Sequence, residues 1–171
     1  MKAITLWEPW ALLWALQIKK YETRGWATNY RGPIAIHAAS RKISVIYKEL
    51  FPCADYEFHP SYFAKKQFCD AIKSCGLNEN ELPTGCIVAT AELVDCHQIV
   101  RYGGRGMSSE GPGWIETEEG IYLPTEQELM FGDWTPGRYA WEVRNMKMLP
   151  EPIPAKGKQR LWNWEEINEN I

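Results

Sequence analysis

With 171 residues, 45% of them hydrophobic and 24% charged, the chain has the composition of an ordinary soluble protein and the length of one domain, 1–171. A net charge of −3 argues against a broad basic surface for long duplexes. Five scattered cysteines, none paired as Cys-x-x-C, and no apolar run of membrane-spanning length suggest reduced thiols, no membrane partner and a cytoplasmic location.

Lys2 to Leu6 reads as a first strand. Pro9 suits the first position of a helix that carries the unbroken apolar run Trp10-Ala11-Leu12-Leu13-Trp14-Ala15-Leu16. Then comes Gln17-Ile18-Lys19-Lys20-Tyr21-Glu22-Thr23-Arg24. Tyr21 and Thr23 alternate there with Glu22 and Arg24, the period of a short strand, so Glu22 and Arg24 share one side. Lys19, near the helix end, is placed to reach them. Charges do not collect between two buried elements without partners.

Arg31-Gly32-Pro33 reads as a turn, and Ile34 to Ala38 as a third strand. Ser40 is the expected N-cap of a helix from about Arg41 to Phe51, and Pro60 opens another to about Cys75, stopped by Gly76. The two helices read as an insertion. Cys86 to Cys96 carries the strongest strand signal, with both faces mostly apolar and Glu92 interrupting one row. From Gln98 to about Pro124, with Gly103-Gly104-Arg105-Gly106 and Gly111-Pro112-Gly113, the chain reads as an irregular flap or functional loop. Thr125-x-x-Glu128 has the form of a capping box opening a short helix to Phe131. Tyr139, Trp141 and Val143 alternate with Ala140, Glu142 and Arg144 as another strand, and the tail carries Pro150, Pro152 and Pro154.

Several of these segments together resemble the ASCH family, a branch of the PUA-like β-barrels. They are Trp7-Glu8-Pro9-Trp10, Lys19-x-x-Glu22-x-Arg24, Trp26, Tyr30-Arg31-Gly32-Pro33-Ile34-Ala35-Ile36-His37-Ala38, and Lys156-Gly157-Lys158-Gln159 ahead of Trp162. The family's core motif reads Gly-x-Lys-x-x-Glu-x-Arg, and only its first position departs, where Gln17 stands for Gly. The resemblance implies an α+β fold, a PUA-like mixed β-barrel flanked by helices. It also implies nucleic acid or a nucleoside as ligand, RNA favoured, with protein partners as a further role of some relatives.

The charged group admits two readings. Lys19, Glu22 and Arg24, with Arg31, form either a structural ion network or a locally positive site for a phosphate or a base carbonyl. Trp7, Trp10, Trp26 and Tyr30 bracket it, and aromatic faces stack bases at roughly 1–3 kcal/mol each. Trp14 is read as core, and Trp10 stands open between core and site. Glu92, as a carboxylate on an apolar row, is expected to meet Arg24, Lys19 or another donor.

An enzymatic alternative is a metal-independent hydrolase acting on a modified nucleoside or RNA, with Lys19, Glu22 and Glu92 as catalytic groups. The resembling branch that removes acetyl groups from acetylcytidine uses a Lys, a Thr and a Glu. Its Lys matches Lys19, but Glu22 holds the place of its Thr. His37, His59, His97 and Cys53 show no zinc-ligand spacing, so neither metal nor other cofactor is expected. The ligand-binding set is then Trp7, Pro9, Trp10, Arg24, Trp26, Tyr30, Arg31, Lys156 and Gln159. The reading is a binding module whose charged, aromatic-walled cleft takes RNA or a single-stranded or modified base.

Overall fold

The computed structural model describes residues 1–55, 59–101 and 111–165. In chain order the elements are β1 (Lys2–Leu6), α1 (Trp10–Ala15), β2 (Tyr21–Arg24), β3 (Gly32–Ala38), α2 (Ile43–Leu50), α3 (Pro60–Ser74), β4 (Cys86–Gln98), β5 (Ile115–Thr117), β6 (Gly120–Tyr122), α4 (Glu126–Phe131), β7 (Tyr139–Pro154) and β8 (Leu161–Asn163). Six strands are hydrogen-bonded in the order β2-β7-β4-β3-β1-β8, and β5 pairs with β6. β1 runs parallel to β3 and antiparallel to β8, while β2 is antiparallel to β7. Among the described residues a mixed sheet with four helices places the fold in the α+β class.

The chain divides into two compact units, one of residues 1–18, 34–90 and 147–171, the other of 19–33 and 91–146. In the first, β1 and β3 lie in register from Lys2 against Ile34 to Leu6 against Ala38. Both faces of β3 are buried from Ile34 onward. Ala3, Ala35 and Ile87 pack with Trp162 and Trp164 in one core cluster. α2 and α3 meet through Tyr47, Phe51 and Phe68, and Trp10 packs its ring 5.6 Å from that of Phe68. Trp14 is fully buried, as the apolar run requires.

α1 ends in a way that explains the motif position held by Gln17. Ile18 N–H donates to Leu13 O at 2.9 Å and Gln17 N–H to Trp14 O at 3.0 Å, a Schellman pattern that needs a left-handed residue between them. Gln17 supplies it at φ 58. A glycine adopts that conformation without the penalty a Cβ brings. Gln17 compensates in part, its Nε2 donating to Trp14 O at 2.9 Å.

Several boundaries differ from expectation. Pro9 is the N-cap of α1 and not its first helical residue. Ser40 does not cap α2; Lys42 does, with no side-chain cap bond. The cause is that the chain stays extended past β3, Ala39 N–H donating to Leu6 O at 2.8 Å. Gly32 and Pro33 belong to β3 and not to a turn before it.

The proline-rich tail is strand through Pro154. Pro150, Pro152 and Pro154 have one parity, so all three missing donors fall on one edge of the strand. The opposite parity still bonds, as Ala155 N–H to Gly85 O at 3.0 Å shows.

In the second unit, Tyr21, Ile99, Ile115, Trp134 and Ala140 form the core cluster, with Tyr122 packed on it. Part of the expected irregular segment is instead the hairpin of β5 and β6, while Gly103-Gly104-Arg105-Gly106 lies outside the described residues. Gly113 holds Val100 against Trp114 there; a Cβ on it would stand 2.6 Å from Val100 O. No described helix is long and apolar enough to cross a membrane.

Candidate functional site

β2 puts the motif carboxylate between its two cations. Glu22 and Arg24 stand on one side of the strand, opposite Trp141 and Tyr139 of β7. Lys19 Nζ lies 2.5 Å from Glu22 Oε2, and Arg24 Nε 3.1 Å from Glu22 Oε1. Each carboxylate oxygen therefore serves one cation. Lys19 is 1% exposed and Glu22 5%, whereas Arg24 is half-buried. Two buried partners at this distance form a charge-assisted bond, and either left alone would be a costly buried charge.

Thr23 points the other way, its Oγ1 accepting from Asp133 N–H at 2.9 Å. Strand alternation placed it off the Glu22 face, and that bond occupies its oxygen.

Trp26 follows on the same segment, edge-on to Trp141 at 4.7 Å, and its carbonyl accepts from Trp141 Nε1 at 3.4 Å. Tyr30 and Arg31 do not join the charged group as the sequence reading had it. Tyr30 Oη donates to Pro33 O at 2.6 Å, and Arg31 pairs with Asp95 at 2.6 Å while bonding the carbonyls of Thr28 and Tyr30. They tie the loop between β2 and β3 to β4. The local positive excess rests on Lys19 and Arg24.

Glu92 differs more. It is exposed, and Asn145 Nδ2 donates to its Oε2 at 3.2 Å. The alternation gave its row correctly, but β4 is no longer covered on that face by residue 92.

The carboxylate that does reach the charged group is Glu128. Thr125 Oγ1 accepts from Glu128 N–H at 3.2 Å, the first half of the capping box. The second half is absent: the Glu128 carboxylate accepts from the backbone N–H of Lys20 instead. It is 3% exposed and its Oε2 has no hydrogen-bond partner. Burial pushes its carboxyl above the usual range, opposed by the Lys20 and Tyr21 N–H groups and by attraction to Lys19, with repulsion from Glu22 adding to the rise. Its only sequence signal was the cap motif.

The remaining candidates lie in the first unit. Trp7 is 43% exposed, with the Arg41 guanidinium 4.5 Å from its ring centre. Pro9 is buried, Trp10 is the Phe68 contact already described, and Lys156 and Gln159 are exposed. Between the last two, Gly157 packs on His37: a Cβ there would stand 2.6 Å from His37 Nδ1 and 2.9 Å from Thr5 Oγ1. His37 Nε2 bonds Ala155 O at 2.9 Å, His97 Nε2 bonds Glu142 at 2.9 Å, and His59 caps α3. Among the described residues no three His, Cys, Asp or Glu side chains gather as a metal site.

The geometry supplies a buried lysine, a half-buried arginine, one shared carboxylate and a second carboxyl with a free oxygen. Such a set can hold an anion or a polar base edge. A family model for the ASCH domain matches residues 4–149. No curated protein matches the chain.

Proposed function

Because the chain belongs to the ASCH family, a PUA-like fold often linked to RNA binding, we propose that it is a nucleic-acid-binding module that takes single-stranded RNA or a modified base. The observation that carries this reading is the Lys19–Glu22–Arg24 arrangement on one face of β2. Glu22 fixes both cations without neutralising both, so Arg24 keeps charge for a phosphate and Lys19 a donor for a base carbonyl. Trp26, on the same segment, is the stacking candidate. Trp7 with Arg41, and Lys156 with Gln159, are the proposed contacts of the first unit. Titration with short oligoribonucleotides, followed by tryptophan fluorescence, tests the reading. Binding should weaken with salt and in Lys19→Ala and Arg24→Ala; unchanged affinity in both variants would refute it.

A second reading, a hydrolase of modified nucleosides, draws support from Glu128. A buried carboxyl that holds its proton above the usual range is suited to protonate a leaving nitrogen while Lys19 holds the substrate carbonyl. Turnover of acylated nucleosides that is lost in Glu128→Gln with binding retained would favour it. Inactivity of the wild-type protein on such substrates would leave binding as the function.

A further inference from the structure

Glu128 stands apart from the other charges of this site. Glu22 is shared by two cations, and Asp95 is paired with Arg31. Among the described residues Glu128 forms no ion pair; backbone N–H groups of Lys20 and Tyr21 serve its carboxylate, Lys20 on Oε1, and its buried Oε2 has no hydrogen-bond partner. The groups facing it are Lys19, Lys20, Tyr21 and Glu22 from β2 and the residues before it, and Tyr122 from β6. Its own helix adds Glu126 in the first turn. With Glu128 neutral, Lys19, Lys20, Arg24 and Glu22 leave two net positive charges. With Glu128 ionised, half of that excess is removed.

We propose that Glu128 sets the charge of the site, so that an anionic ligand binds together with one proton on this carboxyl. The inference rests on the binding reading above and adds its regulation. An anion placed beside Lys19 and Arg24 repels an ionised Glu128, so the bound state favours the neutral acid. The sign follows: ligand binding takes up a proton, and affinity falls as pH rises through the titration of Glu128. Burial has already moved that titration upward. Glu128 is a positioning residue as well, because the Lys20 N–H it accepts lies next to Lys19 in the chain.

The experiment is calorimetry across a pH series from about 5 to 8, in two buffers of different ionisation heat at each pH. The probes are octauridylate, whose bases and phosphodiesters do not titrate there, and inorganic sulfate. The wild-type protein should take up a fraction of a proton with either probe, and its affinity should fall by up to about tenfold per pH unit, the limit for one linked proton. Glu128→Gln keeps an acceptor for the Lys20 N–H and should bind with no uptake and a flat pH profile. Octauridylate bound by wild type without proton uptake, or uptake that persists in Glu128→Gln, overturns the inference and leaves the binding reading intact. Sulfate bound with uptake while octauridylate fails to bind supports Glu128 and removes the nucleic-acid reading. Binding of neither probe removes both. The wild-type measurement decides the matter even if the variant does not fold.

Discussion

Lys19 Nζ lies 2.5 Å from Glu22 Oε2 with both side chains buried, while Arg24 takes the other oxygen of the same carboxylate. The arrangement is unequal. Removing Lys19 leaves Glu22 with Arg24, but removing Glu22 leaves Lys19 as a buried charge without its carboxylate. Glu22→Ala should therefore cost about 3–5 kcal/mol, and Lys19→Ala clearly less. Urea denaturation of the two variants measures the difference, and equal losses would contradict the shared-carboxylate geometry.

Gln17 provides a second test. It occupies a left-handed position at φ 58 that closes α1. Gln17→Gly should stabilise the protein by about 1 kcal/mol, the Cβ penalty at such a position less the lost Nε2 bond. A lower melting temperature in that variant would show that the side-chain bond outweighs the strain.

Glu8 predicts a pH dependence of stability. Its Oε2 accepts from Leu12 N–H at 3.2 Å, its Oε1 is buried without a partner, and burial pushes its pKa up to about 7. A carboxyl raised in the folded state holds a proton that the unfolded chain releases. Its contribution to stability is thus fully present below about 4.5 and is lost as pH rises to about 7. The loss is roughly 3 kcal/mol at one pKa unit per 1.36 kcal/mol. Glu8→Gln should remove that slope from the pH profile of the melting temperature.

Gly157 should not tolerate a side chain. A Cβ there would press into His37 Nδ1 and Thr5 Oγ1, both on strands of the first unit's sheet. Gly157→Ala should cost about 1–3 kcal/mol through overpacking. Gly76→Ala, where nothing lies within 4 Å but φ is +77, isolates the backbone penalty alone.

Local periodicity carried most of the fold. The alternation in Tyr21–Arg24 placed Glu22 with Arg24 and turned Thr23 away, as their contacts bear out. The apolar faces of β3 and β4 were readable for the same reason. What escaped was long-range. Thr125-x-x-Glu128 encodes a cap, but the backbone group that takes the Glu128 carboxylate lies 108 residues away, and no local pattern specifies it. Glu92 shows the converse: its row was right, but whether anything covers that row depends on other strands. The strand through the three tail prolines escaped as well, because their shared parity matters only once a partner strand is present.

The central claim is that Arg24 and Lys19 meet a phosphate-bearing ligand. The most direct measurement is the slope of log affinity against log salt for octauridylate, wild type against Arg24→Ala. Each phosphate contact on a single strand contributes a slope of about 0.7, so Arg24→Ala should flatten the plot by about that amount as well as weaken binding. Parallel plots with equal affinities would place the ligand away from Arg24 and contradict the account.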